Sequence, residues 1–267
     1  MNEQVVTNPL GTERVGKLMI RYAIPSIVSI VVNSLYNMVD QIFIGQGVGY
    51  LGNAATNIIL PLTSILLALG MMIGDGAASY MSLSLGKGRT EDAAQGVGNA
   101  VALTVGVSVV LLVLFELFLE PLCHLFGATE GNLPYALEYG SIIVFGFPFA
   151  MIDAAFGSII RADGRPKVSM IGLLIGCITN IILDPIFIFG CHWGVKGAAW
   201  ATIIGQILNA VHFAACMLRF KTIKIKKQHM IPKWNVIKRI LTLGTSSFIS
   251  QVASVFVIAV MNNSLVK

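Results

Sequence analysis

The sequence predicts an all-α fold, a polytopic membrane helix bundle, on three observations. Of the 267 residues 55% are hydrophobic and only 12% charged, with a mean hydropathy of +0.80, against roughly 25% charged residues in an ordinary soluble domain. Apolar runs recur near 18–45, 53–86, 95–120, 134–160, 168–190, 195–218 and 236–266, each long enough to cross a hydrocarbon core of about 30 Å at about 1.5 Å per residue. Lys and Arg, finally, sort by loop: sixteen of the eighteen fall on one side of the seven spans.

Taken in order, span 1 follows a short polar lead (1–17) with no small-residue cleavage site, so it is read as a retained helix and not a signal peptide. Arg14, Lys17 and Arg21 precede or open it, Lys87 and Arg89 separate spans 2 and 3, and Arg161, Arg165 and Lys167 separate spans 4 and 5. Eight more, including Lys221, stand in 219–239 between spans 6 and 7. Only Lys196 lies in an opposite loop, with Lys267 at the far end. The positive-inside rule then places the N-terminus in the cytoplasm. Topology accounts for the net charge of +5, so no nucleic-acid partner is implied, although the basic run also suits anionic membrane lipid.

Several features that look chemical have simpler readings. Cys123-His124 and Cys191-His192 lack the spacing of a zinc finger or ribbon, so no metal site is assigned. The stretch 84–90, "SLGKGRT", fails the phosphate-loop pattern at its first glycine and at the hydroxyl after Lys87. His212 and His229 are read as ordinary interfacial or solvated side chains, and no catalytic residue is assigned.

The informative residues are carboxylates inside spans, where a charge costs on the order of 2.5 to 3.5 kcal/mol. Asp40, Asp75, Asp153 and Asp184 all lie there. Asn33, Tyr36, Asn37 and Asp40 follow the 0, 3, 4, 7 spacing of one helix face. Gly172, Gly176, Asn180 and Asp184 are each four apart, a strip that opens with small residues suited to close helix contact and ends in amide and carboxylate. Counted from the outer ends at Gly45 and Gly190, Asp40 and Asp184 sit at one depth, roughly 8 to 9 Å. Two carboxylates at one level can share a proton or hold a sodium ion. Pro185 frees the carbonyl of Ile181 and bends span 5 beside Asp184.

The segments 22–49 (YAIPSIVSIVVNSLYNMVDQIFIGQGVG), 158–167 (SIIRADGRPK), 180–189 (NIILDPIFIF) and 192–206 (HWGVKGAAWATIIGQ) closely resemble the multidrug and toxic compound extrusion (MATE) family, nearest its MepA-like bacterial members. The resemblance implies the six-helix N-terminal lobe of a twelve-helix transporter plus a seventh helix. Its domains are a lobe at 1–218, a basic inter-lobe loop at 219–235, and the first helix of a second lobe at 236–267. It implies cation-coupled antiport, driven by H+ or Na+ with no other cofactor, that exports cationic amphipathic drugs across the plasma (inner) membrane. The coupling role passes to Asp40 and Asp184, with Tyr36, Asn180 and Thr202 in the polar network around them. Asn33, Asn37, Asp153 and Gln206 are expected to line the substrate cavity. Gln206 and Asn209 serve equally well as interhelical hydrogen-bonding residues.

Two departures from the family pattern accompany the resemblance. Gly157 stands where an asparagine commonly precedes the Arg-Ala-x-Gly turn, and Asp153, one turn back, is expected to replace it and to influence the pH profile of transport. The sequence also stops in span 7 where the family continues to twelve, so a fragment or truncated reading frame lacking the second lobe is expected.

Two other readings compete. A lipid-linked sugar flippase needs cavity cations to meet a pyrophosphate, whereas the charges inside these spans read as all acidic. An intramembrane aspartyl protease, with two carboxylates sharing one proton, lacks its Gly-x-Gly-Asp context: Asp75 sits in "GDG" and Asp184 precedes proline. Transport is expected, not catalysis.

Overall fold

Every predicted span is helical, and one of them is broken. The structure, a computed structural model, describes residues 14–220 and 222–265, with side chains through Val257. The polar lead before residue 14, Lys221 and Lys267 lie outside the described residues. The helices are α1 (Val15–Gly47), α2 (Tyr50–Gly86), α3 (Thr90–Leu117), the short α4 (Leu119–Leu125), α5 (Leu133–Phe145), α6 (Phe147–Ala162), α7 (Pro166–Pro185), α8 (Val195–Met217) and α9 (Trp234–Leu265). Six are long and apolar enough to span a bilayer, and α5 with α6 supplies a seventh span bent by 52°.

That bend is the departure from the expected continuous span at 134–160. Pro148 stands in the first turn of α6, where its missing N–H leaves a carbonyl of the preceding turn without a donor and its ring blocks a straight continuation. Pro185 marks a change of helix type within the span Pro166–Gly190. Regular α-helix ends there, and a π-helical turn follows at Ile186–Gly190, closed by the Cys191 N–H donating to the Ile186 carbonyl at 2.8 Å.

The apolar core forms around α2, which packs against α3, α5, α6 and α9. Leu62, Leu66, Ile73 and Met81 of α2 are fully buried in one cluster with Val97 of α3, Val144 of α5, and Met151 and Ile159 of α6. By contrast α1 rests mainly on α7, leaving Met19, Ile24, Ile27, Ile30, Leu35 and Met38 exposed. In lipid such a surface carries no hydrophobic penalty, and helix association depends instead on close packing and interhelical hydrogen bonds. The small-residue strip supplies close packing where it was expected, on α7. A Cβ on Gly205 of α8 would lie 2.7 Å from the carbonyl oxygen of Gly176, and one on Gly176 would lie 3.3 Å from that of Gly205. Glycine at 205 is what lets the two backbones approach this closely, and the fit at 176 is tight.

The basic loop between α8 and α9 is tied down at two places. At its start, Arg165 Nε donates to Asp163 Oδ2 at 2.8 Å, Thr222 donates to the same carboxylate, and the guanidinium lies 4.8 Å from the centre of the Phe220 ring. Further on, Gln95 and Asn99 of α3 each donate an amide N–H to the His229 carbonyl at 3.0 Å, and Asn99 Oδ1 accepts the Lys233 N–H at 2.6 Å. His229 is thus not solvated: it is 2% exposed, its Nε2 lies 2.8 Å from Glu91 Oε1, and its Nδ1 accepts the Lys226 N–H. A ring accepting at Nδ1 and donating at Nε2 is the neutral tautomer, assigned from these partners.

Candidate functional site

Four helices bring the predicted coupling residues together. Asp40 is buried near the C-terminal end of α1 and Asp184 near the C-terminal end of α7, 8% and 0% exposed, and their carboxyls lie within hydrogen-bonding reach of each other. Equal depth, inferred from rise per residue, therefore becomes direct contact. With its amide oriented so that both ends are satisfied, Asn180 donates from Nδ2 to Asp184 Oδ2 at 2.7 Å. Its oxygen accepts from the N–H and hydroxyl of Thr202 on α8, each at 3.1 Å. The Tyr36 hydroxyl also reaches the Thr202 side chain. Gln41 Nε2 donates to Asp40 Oδ2 at 3.2 Å, and Gln41 Oε1 accepts from Thr56 of α2 at 3.2 Å.

No Lys or Arg enters this network, and Asp40 Oδ1 is buried without a partner. Two adjacent carboxyls with no counter-ion cannot both remain ionised in a low-dielectric site, so the arrangement accommodates a shared proton or a small hard cation. The oxygens of Asp40 and Asp184 suit such an ion, while Asn180 turns its N–H to Asp184 and its oxygen to Thr202.

Next to the carboxyls lies a cavity of about 470 Å³. Asn33 and Asn37 of α1, Asp153 of α6, and Thr202 and Gln206 of α8 line it, and so do Tyr36 and Asn180, which the sequence reading places with the ion and not the cavity. Asp40 and Asp184 do not: they sit one helical turn outward from Tyr36 and Asn180. These two residues and Thr202 form a wall that faces the cavity on one side and the carboxyls on the other.

The sequence reading missed some residues. Gln41 and Thr56 extend the network, and Tyr139 of α5 stands beside Asp40 and Asp184. Gln41 adjoins Asp40 in the sequence, which was a usable signal, whereas Tyr139 offered only a polar-tipped aromatic near a span end. Arg161, counted among the cytoplasmic charges, stands in the last turn of α6 and also lines the cavity. Its guanidinium folds back to donate to Ser158 Oγ at 2.7 Å and Ser169 Oγ at 3.2 Å.

Comparison with known proteins identifies the family. The MatE family profile matches residues 25–186. The multidrug export protein MepA of Staphylococcus saprophyticus is 28% identical over 248 residues, covering 89% of this chain and 53% of that protein. A crystal structure of MATE in complex with MaD3S superposes with a TM-score of 0.90 at 25% identity, over 98% of this chain and 59% of that one. An outward-facing multidrug resistance MATE family transporter of the MOP superfamily gives 0.89 at 25% identity, over 98% and 58%. The chain spans about half the length of the curated relatives it matches. The profile match covers more than half of the sequence and includes Asp40 and Asp184: the chain belongs to the multidrug and toxic compound extrusion family.

Proposed function

We propose that this protein takes part in cation-coupled export of cationic, amphipathic drugs across the plasma membrane, with its N-terminus in the cytoplasm. The observation that carries the reading is the contact between Asp40 and Asp184 in a network without a basic residue, separated from a drug-sized cavity by Tyr36, Asn180 and Thr202. An ion at the carboxyls and a substrate in the cavity engage opposite sides of one set of side chains, so occupancy of one changes the partners available to the other. In the reading, the ion is H+ or Na+. A second lobe facing this one would complete alternating access, in which two repeats rock about a shared site.

A lipid-linked sugar carrier draws support only from Arg161. One guanidinium, sharing its cavity with Asp153, is poor provision for a pyrophosphate.

The test is efflux of a fluorescent cationic dye from energised cells while external pH or sodium is stepped, comparing the chain with Asp184→Asn. The reading expects ion-dependent efflux that the substitution abolishes. Efflux indifferent both to the ion step and to Asp184 would reject it.

A further inference from the structure

The stretch 84–90, which fails the nucleotide-phosphate pattern, brings two cations to the end of α2. There the Gly88 N–H donates to the Leu85 carbonyl at 3.0 Å and the Arg89 N–H to the Ser84 carbonyl at 2.9 Å. Gly88 takes the left-handed φ of +71° that this closure needs, so Lys87 and Arg89 flank a fixed turn.

A third cation comes from α9. A Cβ on Gly76 would overlap the Ile240 carbonyl, and one on Gly244 the Met72 carbonyl, so α2 and α9 meet backbone to backbone as only glycine allows. Arg239, next to Ile240, is thereby carried to Tyr80, one turn beyond Gly76, with its guanidinium 6.0 Å from the ring centre. Gly96 of α3 leaves room for the same ring.

Lys87, Arg89 and Arg239 converge on a cleft of about 40 Å³ between α2, α3 and α9. Asp92, the one acid lining it, lies 4.0 Å from Arg89, and both side chains are more than half exposed, which makes a weak pair. Lys87 and Arg239 form no ion pair among the described residues, and the neighbouring Glu91 is turned to His229. The cleft therefore carries an excess of two positive charges, in a volume that suits a phosphate group and not a nucleotide or a drug. Leu83, 49% exposed, extends its lining along the surface of a helix long enough to span a bilayer.

We propose that this cleft binds the headgroup phosphate of an anionic membrane lipid, with the acyl chains along Leu83, and so bridges α9 to the α2–α3 turn. A phosphodiester among three cations replaces their mutual repulsion with charge-assisted hydrogen bonds. An anionic headgroup gains more than a zwitterionic one, whose own cation meets the same three charges. The inference goes beyond the export reading and does not depend on it, because lipid binding is read without dye, coupling ion or transport.

The test is native mass spectrometry of the purified chain released from nanodiscs that contain equal amounts of phosphatidylglycerol and phosphatidylcholine with identical acyl chains. Phosphatidylglycerol should be retained in preference. Arg239→Gln and Lys87→Gln should each lower the retention ratio by about fivefold, the contribution of one basic residue at a membrane surface, whereas Arg239→Lys should keep most of it. Lys224→Gln, exposed in the basic loop outside the cleft, should leave the ratio unchanged and reports general attraction to anionic lipid. A ratio unmoved by both Arg239→Gln and Lys87→Gln, or lowered as much by Lys224→Gln, overturns the inference. Displacement of phosphatidylglycerol by millimolar inorganic phosphate, with ionic strength held constant by chloride, would make free phosphate the occupant and overturn it too.

Discussion

The two halves of the polar interior hold similar residues in different states. At the outer end, Asp40 and Asp184 touch each other and meet Gln41, Asn180 and Thr202, with no basic side chain in the network. In the inner half, Asp153 shares its cavity with Arg161. The outer pair is balanced only when it binds a proton or a cation, whereas the inner carboxylate already has an opposite charge within the same wall. On the proposed function, charge balance, more than the presence of an acid, is what would distinguish the ion site from the substrate cavity.

The largest expected effect lies in the outer pair. Asp184→Asn removes the charge of one of the two proposed ion ligands, and ion-dependent dye efflux should be abolished. Asp153→Asn should weaken binding of a monocationic dye by about tenfold and leave the pH midpoint of efflux where it was. A shifted midpoint would place Asp153 with the outer pair and break the comparison. Gly205→Val should cost about 1–3 kcal/mol through overpacking, seen as a lower Tm in detergent, because the added atoms meet the Gly176 carbonyl and disturb the α7–α8 contact beside Asn180 and Thr202.

The smallest effect belongs to a third aspartate, paired directly with a cation. Asp163 is ion-paired to Arg165 at 2.8 Å outside the spans, yet burial pushes its carboxyl above the usual carboxylate range against the opposing pull of Thr222 and Arg165. A carboxyl raised on folding contributes most at low pH and loses that contribution as pH rises through the interval between its unfolded and folded values. Asp163→Asn should therefore flatten the decline of Tm just above the ordinary carboxylate range; an unchanged slope would contradict this assignment.

Periodicity exposed the outer pair because spacing and rise fix which face and what depth a helical residue occupies. Asn33, Tyr36, Asn37 and Asp40, and Asn180 with Asp184, were legible on that ground. Arg161 was not, because loop counting locates a Cα while a long side chain on a helix folds back toward the N-terminus. Whether Asp153 influences the pH profile, as the sequence reading expects, is what the Asp153→Asn comparison above decides. The bend between α5 and α6 had a visible cause in Pro148. Burial of His229 did not show locally, since the amides that hold its backbone, Gln95 and Asn99, lie far away in sequence on one face of α3.

The central claim is that Asp40 and Asp184 bind one ion as a unit. Its most direct test is ion release on binding a cationic dye, followed with pH- and sodium-selective electrodes on the purified chain and on Asp40→Asn, Asp184→Asn and the double variant. The account predicts that either single substitution abolishes release and that the double variant loses nothing more. Partial release from each single variant, with losses that add in the double, would show two independent carboxylates and contradict it.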